Sequence, residues 1–193
     1  KLVTFTLVMF LISRIGIHIG VPGLNMDLFK HFTDNAVSNF LNIFSGGAIQ
    51  RASIFSLGIG PYINASIVVQ LLGIVFPKIE EMQREGGKQR EKLTQWTRYL
   101  TIFLALAQSF GIAITLTTQG LVYEPGAKFI ISSMALMTGG TAFIMWISER
   151  ITIRGIGNGS SMIIFANIVS GLPTVFVHMA TSLTGGMGYV MFA

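Results

Sequence analysis

Long stretches without a charged side chain constrain this chain more than any other feature of its sequence. No Asp, Glu, Lys or Arg occurs in residues 52–77, 99–123, 129–148 or 155–193. The hydrocarbon core of a bilayer is about 30 Å thick and takes about 20 helical residues, so each stretch is long enough to cross it. Only 11% of the residues are charged, whereas a soluble domain carries roughly 25%. The sequence therefore predicts an all-α membrane protein with several spanning helices.

The positions of these helices follow from the length needed to cross a bilayer. At about 1.5 Å per residue, we place them at 2–21, 61–76, 98–118, 128–148 and 160–177, with a sixth beginning at 188–193. The first is longer than a signal-peptide core and no Ala-x-Ala site follows it, so we interpret it as a spanning helix. We interpret Lys1 as a truncated start, and because the sixth helix has hardly begun, we expect more protein to follow.

Basic residues lie mostly on one side of this topology. With Lys1 inside, the inner side carries nine Lys and Arg residues and the outer side three. Basic residues mark the cytoplasmic side of membrane proteins, so the N-terminus and the loops 77–97 and 149–159 are predicted to be cytoplasmic. The mixed-charge stretch from Lys78 to Lys92 is interpreted as a solvated loop, with a docking platform for a cytosolic partner as the alternative.

The segment 22–60 is too polar to span and too apolar for a simple solvated loop. Asp34 or Asn35 can cap a short helix over residues 36–44, and Gly46 with Gly47 would end it. Nine residues reach only about 13 Å. We therefore expect a segment that dips into the membrane without crossing it.

A second interruption is the run Gly58-Ile59-Gly60-Pro61, which precedes a short spanning helix. Pro61 suits the first turn of that helix, where its missing N–H is not needed. A helix broken at membrane depth frees backbone groups that lipid cannot satisfy, so these groups must face protein or a water-filled cavity. The break therefore predicts a pore.

Three polar side chains stand out within the predicted helices. Gln70 and Gln108 carry amides that need hydrogen-bonding partners, which favours positions at helix interfaces. A charge such as that of Arg14 is costly in hydrocarbon and marks a functional candidate. Because Arg14 lies in the outer half of its helix, we interpret it as reaching the outer interface.

The sequence offers no catalytic or cofactor site. The chain has no cysteine, its three histidines lie in separate segments, and its acids lie outside the middles of the spanning helices, which argues against an enzyme, a metal site and proton-coupled transport. The glycine run of residues 155–159 lacks both the spacing and the preceding strand of a dinucleotide-binding loop. We interpret it as a flexible turn into the next helix.

Several motifs, in this order and at these separations, resemble the SecY family of protein-translocation channel subunits. They are Val21-Pro22-Gly23, Phe44-Ser45-Gly46-Gly47-Ala48, Arg51-Ala52-Ser53-Ile54-Phe55, Pro61-Tyr62-Ile63-Asn64-Ala65-Ser66-Ile67, Gln70-Leu71-Leu72, Trp96-Thr97-Arg98-Tyr99, Ile151-Thr152 and Arg154-Gly155-Ile156-Gly157-Asn158-Gly159. The resemblance covers nearly the whole chain. It implies a channel of ten helices in two inverted halves, of which this chain holds the first half and the start of the sixth helix.

The resemblance also assigns roles to individual residues. Segment 36–51 would be the plug that closes the pore from outside, with Phe40, Leu41, Ile43, Phe44, Gly46 and Gly47. An apolar pore ring would include Ile59, Ile63 and Ile164, while a fourth position falls on Ser160, where the family usually has a bulky aliphatic residue. Polar positions on one wall of the lateral gate fall on Gln70 and Gln108.

The resemblance further implies a set of partners in the plasma membrane and the cytosol. These are the SecE and SecG subunits, the SecA ATPase, the ribosome, signal sequences, unfolded secretory chains and membrane lipids, with no direct recognition of nucleic acid. The basic residues expected to face cytosolic partners are Arg84, Lys88, Arg90 and Arg98. The predicted function is a passive conduit for unfolded polypeptides with lateral release of apolar segments. A secondary transporter, which also uses broken helices, is the alternative.

Overall fold

The structure, a computed structural model, describes residues 1–33, 45–85 and 87–172. The described residues form seven α-helices and, apart from two isolated bridges, no β-structure. The helices are α1 (Leu2–Gly16), α2 (Met26–Thr33), α3 (Gly60–Val75), α4 (Pro77–Glu85), α5 (Gly87–Thr118), α6 (Ala127–Arg154) and α7 (Gly159–Leu172). The predicted all-α fold is confirmed for these residues. Residues 173–177 of the fifth predicted span, and the predicted start of a sixth at 188–193, lie outside them.

The first helix is shorter than predicted, because it ends at Gly16 instead of continuing to residue 21. The Ser53 hydroxyl donates a hydrogen bond to the Gly16 carbonyl oxygen at 3.1 Å. A Cβ at position 16 would overlap the Phe55 ring, so glycine is needed for this close approach. A tertiary contact with a segment 37 residues away therefore accompanies the end of the helix.

The predicted cytoplasmic loop 77–97 is wrong as a description of local structure, because this stretch is helical. Residues 77–85 form α4, and α5 begins at Gly87, eleven residues before the predicted start of the third span at residue 98. Lys, Glu, Gln and Arg are good helix formers, so a charged stretch can continue a helix beyond the membrane. Gly87 has a φ of +54°, a conformation that favours glycine and lets the chain turn between the two helices.

Helix α6 is the central element and packs against α5, α1 and α3. Its buried face carries small polar residues among larger apolar ones: Ser133, Thr138, Thr141 and Ser148. Small side chains let helix backbones approach closely in membranes, and hydroxyl groups can bond across the interface. The hydroxyl groups of Ser109 on α5 and Thr138 on α6 lie 3.3 Å apart within hydrogen-bonding distance.

The two ends of the bundle are distinct. At one end α1 begins beside the end of α6, since a Cβ on Gly155 would lie 2.7 Å from Thr6 Oγ1. At the other end, isolated bridges pair Gly20 with Ser53 and Leu24 with Val122. This arrangement groups the N-terminus with the basic end of α6, as the predicted topology requires.

Large apolar side chains are exposed on the outer faces of several helices, including Leu11 (65% exposed), Phe103 (66%) and Ile74 (79%). Two stretches, Glu91–Thr118 and Ala127–Arg154, are long and apolar enough to cross a bilayer, and three shorter helices are also apolar. Soluble proteins rarely expose contiguous apolar surface on this scale. These faces are suited to contact with lipid or with further apolar helices.

Candidate functional site

The predicted helix break is present as an irregular segment of turns over residues 45–59, immediately before α3. Its backbone groups find partners within the protein. The N–H of Ile54 donates to the Ile19 carbonyl oxygen at 3.0 Å, and the N–H of Phe55 donates to Ser53 Oγ at 3.1 Å. Gly58 turns the chain with a φ of +57°. The irregular backbone is therefore hydrogen-bonded within the protein, as non-helical backbone at membrane depth must be.

An apolar cluster surrounds this break. Its buried members are Ile17, Ala48, Phe55, Ile59, Ile144, Ile147, Ile151 and Ile163, and its partly buried members include Ile63 and Ile164. Three of the four predicted ring residues, Ile59, Ile63 and Ile164, therefore lie in or against one cluster built from α1, α3, α6, α7 and the turns before α3. We call this group the constriction cluster, after the role that we propose for it below.

The fourth predicted ring residue, Ser160, makes a different contact. Its hydroxyl lies 2.6 Å from Asn158 Oδ1 and donates to it, and its backbone N–H donates to the same oxygen at 3.0 Å. Ser160 therefore contributes to the start of α7 and supplies no bulky apolar side chain to the constriction cluster. Nothing in the sequence pattern alone identified this local role.

The glycine run before α7 forms the predicted turn, and its last residue, Gly159, is packed tightly against the end of α6. Thr152 Oγ1 accepts a hydrogen bond from the Gly159 N–H at 2.8 Å, and its hydroxyl donates to the Ser148 carbonyl oxygen at 3.0 Å. A Cβ on Gly159 would collide with the Ser148 backbone. Asn158 also caps α7 in the manner expected of an N-cap side chain. These contacts fix α7 against the end of α6.

The predicted plug lies mostly outside the described residues: Phe40, Leu41, Ile43 and Phe44 all belong to the stretch 34–44. Gly46 and Gly47 are described, with φ values of +64° and +91°. They form a turn that is followed by Ala48, a fully buried member of the constriction cluster. The described part of segment 36–51 is thus a glycine turn joined directly to the cluster.

Arg14 contacts this turn and does not simply reach the outer interface. Its guanidinium Nη1 donates to the Gly46 carbonyl oxygen at 2.9 Å, across 32 residues of sequence. The Asn167 side chain of α7 lies close to the same glycine, since a Cβ at position 46 would be 2.9 Å from Asn167 Oδ1. Sequence reasoning missed Asn167, whose only signal was an amide within a charge-free helix.

The two glutamines predicted at helix interfaces are exposed on the described part of the chain. Gln70 Nε2 donates to Ser66 Oγ one turn earlier on α3 at 3.3 Å. Gln70 also lines an open groove of about 450 Å³ between α3 and α5, together with Tyr62, Ser66, Val69, Leu93, Thr94 and Thr97. Gln108 is exposed on α5. Neither amide is buried between described helices, so their interface role stays a prediction.

Of the four basic residues predicted to face cytosolic partners, Arg98 has a defined contact within the chain. Its Nε lies 2.7 Å from Glu149 Oε1, and the two side chains are 45% and 13% exposed. This ion pair joins α5 to α6. Arg84 belongs to α4, and Lys88 and Arg90 belong to the first turns of α5. The structure does not describe the side chains of these three residues.

The Arg98–Glu149 pair gives a charge-swap prediction. We expect Arg98→Glu to destabilise the α5–α6 contact by about 1 kcal/mol, because a half-exposed pair contributes no more than that and the variant places two carboxylates together. The double variant Arg98→Glu/Glu149→Arg should recover most of the loss in the thermal midpoint of the detergent-solubilised full-length protein. If the double variant restores the thermal midpoint but cell growth or protein export still falls, Arg98 also contacts a partner.

The described residues define a class of protein. They form an α-helical bundle with exposed apolar faces, charges concentrated at one end, and a broken helix whose irregular backbone is buried beside an apolar cluster. No group of three or more potential metal ligands occurs among the residues that the structure describes. This is the architecture of a polytopic membrane protein.

Comparisons with known proteins identify the family. The SecY family model matches residues 53–193. The chain is 45% identical over 181 residues to the protein translocase subunit SecY of Escherichia coli K12 and to that of Buchnera aphidicola, covering 90% of this chain in each case. It is 44% identical over 199 residues to the SecY subunit of Porphyra purpurea, covering 98%. The chain belongs to the SecY family, and the resemblance seen in the sequence is confirmed.

The chain spans about half the length of the curated relatives it matches. It covers 51% of the Buchnera protein, 41% of the Escherichia protein and 48% of the Porphyra protein. Family membership supports a membrane location. It does not favour the secondary transporter that the broken helix left open.

Proposed function

We propose that this chain forms the first half of a channel through which unfolded polypeptides cross the plasma membrane. Family membership supports this, because the relatives are named as protein translocase subunits. The observation that carries the proposal is the meeting of Ile59, Ile63 and Ile164 in the constriction cluster beside a broken helix. Bulky aliphatic side chains at a constriction exclude water and ions by dewetting, and they can move aside for a passing chain.

The remaining parts of the channel are proposals of the same kind. Segment 36–51 would act as a plug on the outer side, with the Gly46-Gly47 turn as its C-terminal attachment. Gln70 and Gln108, exposed on α3 and α5, would line one wall of a lateral gate whose facing wall belongs to a second, inverted half. Apolar signal sequences would leave the pore there and enter the lipid.

We also propose a cytoplasmic N-terminus and no catalytic activity of the chain itself. The ends that carry Lys1, Arg98 and Arg154 group together in the bundle, and basic residues are retained on the cytoplasmic side. The energy for transport would come from the SecA ATPase or from a translating ribosome, and SecE and SecG would complete the channel. The helical, charged stretch of α4 and early α5, with Arg84, Lys88 and Arg90, suits contact with these cytosolic partners.

A crosslinking experiment tests the conduit. Single cysteines replace Ile59, Ile63 or Ile164 in the full-length protein, which is loaded with a stalled secretory chain carrying one cysteine. We expect disulfide crosslinks from all three positions, because a chain in the pore must pass through the constriction. The matched control is Ile131→Cys on α6, which is 67% exposed and should not crosslink. Equal crosslinking from Ile131 and Ile63 would contradict the pore assignment.

A further inference from the structure

We infer that Arg14 and Asn167 form a latch around Gly46 that holds the constriction cluster in its closed arrangement. This inference rests on the proposed channel function and adds two positioning residues to it. The latch joins three parts of the chain that are far apart in sequence: α1, the glycine turn and α7. Neither residue belongs to the predicted plug, ring or gate.

The geometry at Gly46 leaves no space for a side chain. A Cβ there would lie 2.6 Å from Arg14 Nη1 and 2.9 Å from Asn167 Oδ1, so both side chains occupy the position that it would need. Gly46 is buried, and its carbonyl oxygen accepts the hydrogen bond from Arg14 at 2.9 Å. The neighbouring Gly47 differs in one respect, since nothing lies within 4 Å of its Cβ position.

The charge of Arg14 supports a functional role. It is the one charged residue between Lys1 and Asp27, and charged side chains within spanning helices are costly and mark functional positions. Among the residues that the structure describes, no carboxylate pairs with it, and its guanidinium donates to the Gly46 carbonyl oxygen. A guanidinium held by a neutral acceptor can be released without breaking an ion pair, which suits a contact that must open and close.

The glycine turn and α7, which both take part in the latch, also contribute residues to the constriction cluster. Ala48, two residues after Gly46, is fully buried in that cluster. Ile163, one helical turn before Asn167, is 3% exposed and belongs to the same cluster. Residues four apart lie on one face of a helix, so a movement of α7 that opens the cluster also withdraws Asn167 from the turn.

The test measures the thiol reactivity of Ser45→Cys, next to the turn, in resting full-length channels made free of other cysteines. Adding Arg14→Leu should raise this reactivity about tenfold, because a hydrogen bond made by a charged group has about that worth. Arg14→Lys should restore part of the protection and Asn167→Ala should remove part of it. The control Lys128→Leu also removes a positive charge, but from an exposed side chain in the first turn of α6, and should leave the reactivity unchanged.

The two glycines provide a second comparison that does not alter any charge. Gly46→Ala should raise the reactivity as much as Arg14→Leu, and combining the two should add nothing, because the alanine already displaces Arg14. Gly47→Ala suffers the same kind of backbone strain from a positive φ but displaces neither side chain, so its effect should be smaller.

Two different results separate failure of the latch from failure of the channel. Equal reactivity for Arg14→Leu and Lys128→Leu, with Gly46→Ala no worse than Gly47→Ala, would overturn the latch even if glycine substitutions in the constriction cluster make the channel leak. A constriction that does not leak would overturn the proposed function, on which the latch depends.

Discussion

The double variant Ile59→Gly/Ile63→Gly is expected to raise the resting ion conductance of the full-length channel by about tenfold or more. Each removed side chain carries about 1.5–3 kcal/mol of apolar transfer free energy, and each 1.4 kcal/mol taken from a barrier is a factor of about ten in rate. Ile59 is only 6% exposed, so its loss opens space inside the constriction cluster that water can enter. Single-channel recordings in planar bilayers measure the effect.

The control for this prediction is Ile131→Gly on α6. It makes the same substitution in a spanning helix, but at a side chain that is 67% exposed, so it tests whether a weaker helix alone causes leakage. The conductance of this variant should stay near that of the parent channel. Unchanged conductance in the double variant, with normal membrane insertion, would remove the pore assignment.

The second large effect is expected from Gly140→Ala in the middle of α6. A Cβ at this position would collide with the Ile54 carbonyl oxygen and would lie 2.9 Å from the Phe55 ring. Backbone cannot move aside as a flexible side chain can, so α6 must separate from the turns before α3. Overpacking of this kind costs about 1–3 kcal/mol, and we expect a clear fall in the thermal midpoint of the purified full-length protein.

The adjacent Gly139→Ala is the matched control. It lies in the same helix, nothing lies within 4 Å of its Cβ position, and alanine is a better helix former than glycine by up to about 1 kcal/mol. Its thermal midpoint should be equal to or above that of the parent. If the two variants behaved alike, the close contact between α6 and the Ile54 backbone would be absent from the folded protein.

Much of the candidate site could be predicted from local sequence features. The glycines and the proline around Ile59 predicted the break before α3, because their backbone preferences act within a few residues. The resemblance then assigned Ile59, Ile63 and Ile164 to one ring. In the structure these residues lie in or against one apolar cluster, and their role as a pore ring stays a prediction. The role of Ser160 could not be predicted in this way, since it depends on the orientation of a hydroxyl toward Asn158.

The sequence by itself determined the class of the protein and the main helical stretches. Charge-free runs, basic residues at one set of ends and the broken helix all follow from the transfer of side chains and backbone groups between water and lipid, which is a property of composition and order. The free energy of this transfer depends little on which helices pack against one another. The family motifs, which are also read in order along the chain, gave the same conclusion.

Only the tertiary structure decided where helices end and which polar groups meet. Gly16 ends α1 beside Ser53 and Phe55, Arg14 reaches Gly46 across 32 residues, and Arg98 reaches Glu149 across 51. Periodicity and propensity describe interactions within a few residues along the chain, whereas these contacts exist only once the helices have packed. The pairing of a buried polar group is set by whatever lies within hydrogen-bonding distance in space, and that neighbour is fixed by the fold.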